Sequence, residues 1–210
     1  AGKARLIASI APHAPYSTGL DVLERVAAWH DRNRDTRIQI HLAETEPERA
    51  WARDTHDMTT VAVSEKAGVL RPGTIAAHCL LLEDADIEIL ARSGTGVAHN
   101  ARSNGKGGRG MARIDDMRRA GIPVGIATDG AMSGNTLDLF SQFGVVSIFA
   151  KILGHSRKPL PARDVVRMAT LEGARVLGLD EETGSLEVGK KADLISISTA
   201  APRMQPIYDA

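Results

Sequence analysis

The chain has 210 residues, 43% hydrophobic and 25% charged, with Lys+Arg and Asp+Glu balanced at 26 each, the make-up of one sizeable soluble domain. That balance gives no electrostatic case for nucleic acid or an anionic membrane, and no apolar run approaches the roughly 20 residues of a spanning helix. A single cysteine, Cys79, excludes an internal disulfide and points to a reducing, cytoplasmic compartment, with no signal peptide in view.

In chain order, Leu6–Ile10 reads as a buried strand. Leu20, Leu23, Val26 and Ala27 then fall at helical spacing. Ile38–Ala43 is a second strand, and Thr59–Ala67 a helix ended by Gly68. Thr74–His78 is a third strand, followed by a helix over Asp84–Ala91. Gly96–His99 is a fourth, and Ile114–Ala120 a helix ended by Gly121. Val124–Thr128 is a fifth, before helical stretches over Leu137–Leu153 and Ala162–Leu177.

Strand and helix alternating in this way predict a parallel sheet, either doubly wound or a (β/α)8 barrel. Polar residues able to do chemistry follow almost every strand: His13, His41 with Glu44, His78, Asn100 and Asp129. Barrels collect their sites from many strand ends, and no G-x-G-x-x-G turn follows the first strand, so the barrel is favoured. Five strands do not close a barrel, so roughly three βα units are expected ahead of Ala1. The start at Ala1-Gly2-Lys3, without Met, fits a processed chain or a segment of something longer. Thr183–Lys191 and Ala192–Ser196 carry short strand signals around Gly turns. The expected organisation is a partial barrel over residues 1–182 and strands of a small β domain over 183–210.

His41 and Glu44, in H-L-A-E, sit at i and i+3 around a strand end. There an imidazole suits zinc and a carboxylate suits proton transfer. A solvated histidine with a surface glutamate explains the pair equally simply. Asp129, in T-D-G, fits a metal ligand or general base, or a turn aspartate before glycine. His78 ends an apolar strand as a polarising imidazole or a satisfied core histidine. His13 lies in the Pro-braced A-P-H-A-P-Y, placed for substrate or simply in a loop. Together, His, His/Glu, His and Asp on four successive strand ends argue for one site.

The segments S-I-A-P-H-A-P-Y-S, H-L-A-E-T-E, A-H-C, V-A-H-N-A-R-S-N and A-T-D-G-A-M-S-G-N-T-L-D-L-F, with the tail R-M-A-T-L-E-G-A-R-V-L-G-L-D-E-E-T-G-S-L-E-V-G-K-K-A-D-L-I, resemble the amidohydrolase superfamily. The branch they resemble most is the methylthioadenosine/S-adenosylhomocysteine deaminases, near the chlorotriazine hydrolases. The resemblance implies an amidohydrolase-type barrel with one zinc (or iron) ion per subunit. It implies His41 as metal ligand and Glu44 as the proton shuttle to a substrate ring nitrogen. It implies His78 as the histidine that steers the attacking hydroxide, and Asp129 as metal ligand and base for the water. It implies His13 and Ser133 as substrate contacts, alongside Glu44 and His78. The implied activity is hydrolytic deamination of an adenosine-like purine. Hydrolysis of a triazine or pterin-like ring, and an inactive fragment, are the rivals. A small-molecule substrate and a homo-oligomer are the implied partners.

Two departures stand out. The superfamily's H-x-H pair is absent, as expected if the segment bearing it lies upstream, and His99 reads as structural. His30, His56 and His155 read as surface residues. The loop Ser103–Gly110, S-N-G-K-G-G-R-G, is richer in Gly and basic residues than its relatives, and Arg102 stands where relatives tend to have an apolar residue. It reads as a mobile active-site loop ahead of a phosphate cradle, because no P-loop spacing is present. Cys79 reads as a small buried filler, and the helix bearing Leu137, Phe140 and Phe143 as core packing.

Overall fold

The structure, a computed structural model, describes residues 6–200. These form strands β1 (Ser9–Ile10), β2 (Arg37–Leu42), β3 (Thr74–His78), β4 (Gly96–His99) and β5 (Val124–Ile126). Helices α1 (Pro15–Thr18) and α2 (Leu20–Asp31) follow β1, and α3 (Glu46–His56) and α4 (Thr60–Lys66) follow β2. Helix α5 (Asp84–Ser93) follows β3, and α6 (Ala101–Lys106) and α7 (Ile114–Arg119) follow β4. After β5 come α8 (Ala131–Gly134), α9 (Phe140–Leu153), α10 (Ala162–Ala169) and α11 (Leu171–Leu177).

All strand pairs are parallel, in the order β1-β2-β3-β4-β5. A doubly wound sheet reverses its order at a switch point; this sheet never does, so it is five consecutive staves of a barrel wall. Register divides the side chains between two faces. Gln39 pairs with Ile75, His41 with Ala77, Ala77 with Ala98, and Ala98 with Gly125. These residues share the inner face. Ile38, Ile40, Leu42, Ala76, Val97 and Val124 alternate with them and are buried under the helices. Ile38 and Ile40 pack with Leu23 and Val26 of α2. Leu42, Ala76 and Val97 pack with Leu90, Met117, Val146 and Met168 of α5, α7, α9 and α10.

The inner face is small where α11 crosses it. A Cβ at Gly96 would stand 2.9 Å from Val176 Cα, and one at Gly125 would stand 2.9 Å from Gly173 Cα. Helix backbone can approach this closely only because neither strand position carries a side chain. Gly125→Ala is therefore expected to destabilise the chain by about 2 kcal/mol, through overpacking against a backbone that has no side chain to move aside. Urea unfolding measures it. An unchanged midpoint would mean that α11 does not sit on β5.

Several sequence expectations are corrected. The helix predicted over Ala162–Leu177 is two helices, because Thr170 leaves helical backbone (φ −123°, ψ −95°) while its hydroxyl donates to Val166 O at 2.9 Å. The break turns α11 onto the sheet. Leu137 is exposed and precedes α9, and Phe140 is half exposed. His30 is buried, its Nε2–H donating to Thr36 O at 3.2 Å and closing the turn into β2. The strands expected at Thr183–Lys191 and Ala192–Ser196 are not formed among the described residues. That stretch runs as turns and irregular backbone with no ladder partner among the described residues, and backbone without a partner makes no strand. It packs instead beside α11, bounding with Ile75, Ala98 and Gly125 a cleft of about 710 Å³. The rest of the expected β appendage, 201–210, lies outside the described residues, as does 1–5. Among the described residues no helix is long and apolar enough to cross a membrane.

Candidate active site

The C-terminal ends of β2, β3 and β5 bring His41, His78 and Asp129 to one mouth of the sheet. In R-I-Q-I-H-L the alternation that buries Ile38, Ile40 and Leu42 under the helices sends His41 to the inner face. By the same rule His78, in register with Leu42, would face the helix layer. Its backbone turns left-handed instead (φ 75°), and its ring stacks on that of His41, centroids 5.5 Å apart and planes 24° apart. Asp129 (φ 59°) and Ala43 (φ 51°), beside Glu44, share this uncommon conformation. Left-handed backbone at non-glycine residues costs energy and recurs where side chains must be re-aimed.

Each ring is oriented by its far nitrogen. The carbonyl of His13 accepts from both the backbone N–H and the ring Nδ1 of His41, at 3.0 and 2.7 Å. A carbonyl only accepts, so the His41 proton is on Nδ1 and Nε2 keeps its lone pair, the arrangement a metal ligand needs. His78 Nδ1–H donates to Asn104 Oδ1 at 2.8 Å, which turns Nε2 toward Glu44 Oε1, 3.5 Å away. Burial pushes the His78 pKa below that of an ordinary imidazole, against the opposing pull of Asn104, Glu44 and Asp129. For Asp129, burial is the largest influence and raises the pKa. The Ser103 hydroxyl, donating to Oδ2 at 2.7 Å, the Gly130 amide at 2.8 Å and the neighbouring histidines outweigh it, so the carboxyl stays below its usual range.

Glu44 is paired with Arg109. The His13 ring lies 4.9 Å from that of His41, with Nδ1 hydrogen-bonded to Ser17 Oγ at 2.6 Å. Ser133 sits on α8, just past Asp129, its hydroxyl 3.8 Å from where a Cβ at Gly130 would stand. The 710 Å³ cleft is a separate feature, because none of these six residues lines it.

Sequence reading missed Ser103, Asn104 and Arg109. The segment taken as a loop from Ser103 is helical through Lys106, and Ser103 and Asn104 are buried. Their signal was the run H-N-A-R-S-N after a strand, which starts a helix at a strand end and puts both residues on its first turns. Cys79 is buried as expected, with its thiol pushed up by burial. His99 is also buried, and among the described residues neither ring nitrogen has a partner.

Burial pushes the His99 pKa down to about 4, from the 6.5 of an ordinary imidazole. The folded value is depressed, so the associated stability is complete above pH 6.5 and is lost as pH falls toward 4. The loss expected is about 3 kcal/mol. Urea unfolding of the wild type should weaken over that window, and His99→Leu should remove this part of the slope. Equal slopes in the two proteins would contradict the assignment.

His41 Nε2 and the Asp129 carboxylate suit a divalent ion as two of its ligands. Zinc takes three or four, and among the described residues no three His, Cys, Asp or Glu side chains form a metal-holding group. The donors fit zinc in chemical type and form an incomplete set.

Comparison with known proteins follows the same lines. The sequence matches the Amidohydrolase family over residues 1–209. It is 39% identical over 202 residues to a 5'-deoxyadenosine deaminase of Methanothermobacter thermautotrophicus, covering 96% of this chain and 47% of that protein. It is 39% identical over 209 residues to a 5-methylthioadenosine/S-adenosylhomocysteine deaminase of Desulforudis audaxviator, covering 100% and 48%. Among solved structures, a zinc-bound adenosine deaminase from Xanthomonas campestris superposes with a TM-score of 0.91 at 35% identity, over 96% of this chain and 46% of that one. A zinc-bound atrazine chlorohydrolase from Arthrobacter aurescens gives 0.84 at 25%, over 91% and 42%. The chain thus spans about half the length of the curated relatives it matches.

Proposed function

Because the chain belongs to the amidohydrolase family, we propose that it carries the Glu44, His78 and Asp129 machinery of a metal-dependent hydrolase that deaminates an adenosine-like purine. Methylthioadenosine, S-adenosylhomocysteine or 5'-deoxyadenosine is the substrate type. The observation that carries the reading is convergence: groups from three separate βα units meet at one mouth, with His78 Nε2 3.5 Å from Glu44 Oε1 and Asp129 within the electrostatic reach of both His41 and His78. The names of the relatives supply the substrate class.

His41 Nε2 and Asp129 would hold a zinc or iron ion, with the remaining ligands from outside the described residues. Such an ion, when bound, would lower the pKa of a coordinated water from its very high ordinary value to about 7. Asp129, a carboxylate at neutral pH, accepts the proton that the water gives up. Glu44 delivers a proton to the ring nitrogen beside the amine-bearing carbon and makes that carbon electrophilic. His78, its Nδ1 fixed by Asn104, aims Nε2 at the attacking oxygen. A carbon–oxygen bond forms, the proton held by Asp129 passes to the amine, the carbon–nitrogen bond breaks and ammonia leaves, while the proton of the new hydroxyl returns to Glu44 as the carbonyl forms. His13 and Ser133 contact the substrate at the rim. Arg109 gives way from Glu44 when the ring enters.

The test is a panel. The zinc-loaded full chain is incubated with 5'-deoxyadenosine, methylthioadenosine, S-adenosylhomocysteine and atrazine, and ammonia and chloride are measured. Ammonia from the purines is expected. Release from atrazine alone would favour the triazine reading, and no release from any of them at stoichiometric zinc would overturn both.

A further inference from the structure

Glu48 lies one turn into α3 and is 1% exposed, although carboxylates are almost never fully buried unless paired. Its partners are backbone amides. Oε1 accepts from Ala43 N at 2.9 Å and Oε2 from Glu44 N at 2.8 Å. Thr45 is the N-cap of α3, its hydroxyl accepting from Glu48 N at 3.4 Å. An ordinary capping box would need only the Thr45 amide in return. Glu48 also reaches past the cap, to two amides of the turn that presents Glu44.

That turn is shared. Ala43, left-handed at φ 51°, gives its carbonyl to the amides of Leu80 and Leu81, both at 2.9 Å, and Leu42 O accepts from Cys79 N at 3.0 Å. Cys79–Leu81 is the segment that leaves His78. One buried carboxylate therefore clamps the Ala43 peptide from one side while the chain after His78 clamps it from the other. The turns bearing Glu44 and His78 are fixed to each other through it.

We propose that Glu48 is a positioning residue: by holding the Ala43 and Glu44 amides it sets the Glu44 carboxyl against His78. The role assigned to Glu44 rests on the deaminase reading; the clamp itself does not. Burial raises the Glu48 pKa while the amides of Glu44, Ala43 and Thr45 lower it, as expected of a carboxyl held by backbone donors alone.

Amide hydrogen exchange and steady-state kinetics on the full chain test this in the wild type, Glu48→Gln and Glu48→Asp. Glutamine keeps one acceptor and places an NH2 against the other amide. The Ala43 and Glu44 amides should be protected in the wild type and exchange at least about tenfold faster in Glu48→Gln, while the core amides of Val61 and Leu90 hold. With zinc, kcat should fall about 10- to 100-fold with KM within about twofold, and Glu48→Asp should recover part of the loss. Unprotected Ala43 and Glu44 amides in the wild type would overturn the proposal even if Glu48→Gln does not fold. Unchanged local exchange or unchanged kcat in a folded Glu48→Gln would overturn it too. Absence of wild-type turnover strikes the deaminase reading and leaves the exchange result to decide the clamp.

Discussion

Asp129→Asn is expected to lower kcat of the zinc-loaded chain on the proposed purine substrates about 10³-fold and to weaken zinc binding as well. Asparagine has the size of aspartate and can still meet the Ser103 hydroxyl and the Gly130 amide, which now bond Oδ2 and Oδ1. What it lacks is the charge that faces His41 and His78, and the lone pair that accepts the water's proton. The fold should therefore survive with its unfolding midpoint nearly unchanged while turnover collapses. Kinetics and competitive zinc titration on the same protein check both halves. A kcat within tenfold of the wild type would remove Asp129 from the chemistry.

Glu44→Gln should cost about 10²- to 10⁴-fold in kcat with little change in KM. Glutamine fills the same space beside His78 but cannot deliver a proton to a ring nitrogen. The substitution also breaks the ion pair with Arg109, and that loss should be small because the guanidinium is partly exposed. The two effects separate in Arg109→Gln, which removes the ion pair and leaves the proton path intact. If Arg109→Gln were as slow as Glu44→Gln, Glu44 would act only by holding Arg109.

The sheet and the strand-end residues were legible because both follow from local rules. β3 at Thr74–His78 and β4 at Gly96–His99 have the predicted limits, being short apolar runs between turn residues. His41 was legible as an imidazole at the end of the apolar run Ile38–Ala43. Helix α3 was missed because E-P-E-R-A-W-A-R-D-T-H carries no apolar stripe, and only Glu48 and Ala52 of it are buried. Helix α6 was read as loop from Ser103 because Gly105 and the glycines that follow the helix weigh against helix in isolation, whereas packing holds it beside α9: a Cβ on Gly105 would strike Phe149 at 2.7 Å. The turning of His78 toward His41, the Asn104 and Ser103 contacts and the reach of Arg109 to Glu44 all depend on which segments lie side by side. Period and composition do not carry that information. His30 read as a surface residue for the same reason: its partner, Thr36 O, belongs to the next turn.

The most direct measurement is a crystal of the zinc-soaked full chain examined for anomalous scattering at the zinc edge. A peak about 2.0–2.2 Å from both His41 Nε2 and an Asp129 carboxylate oxygen is expected. A zinc ion bound elsewhere, with His41 and Asp129 both unligated, would contradict the account.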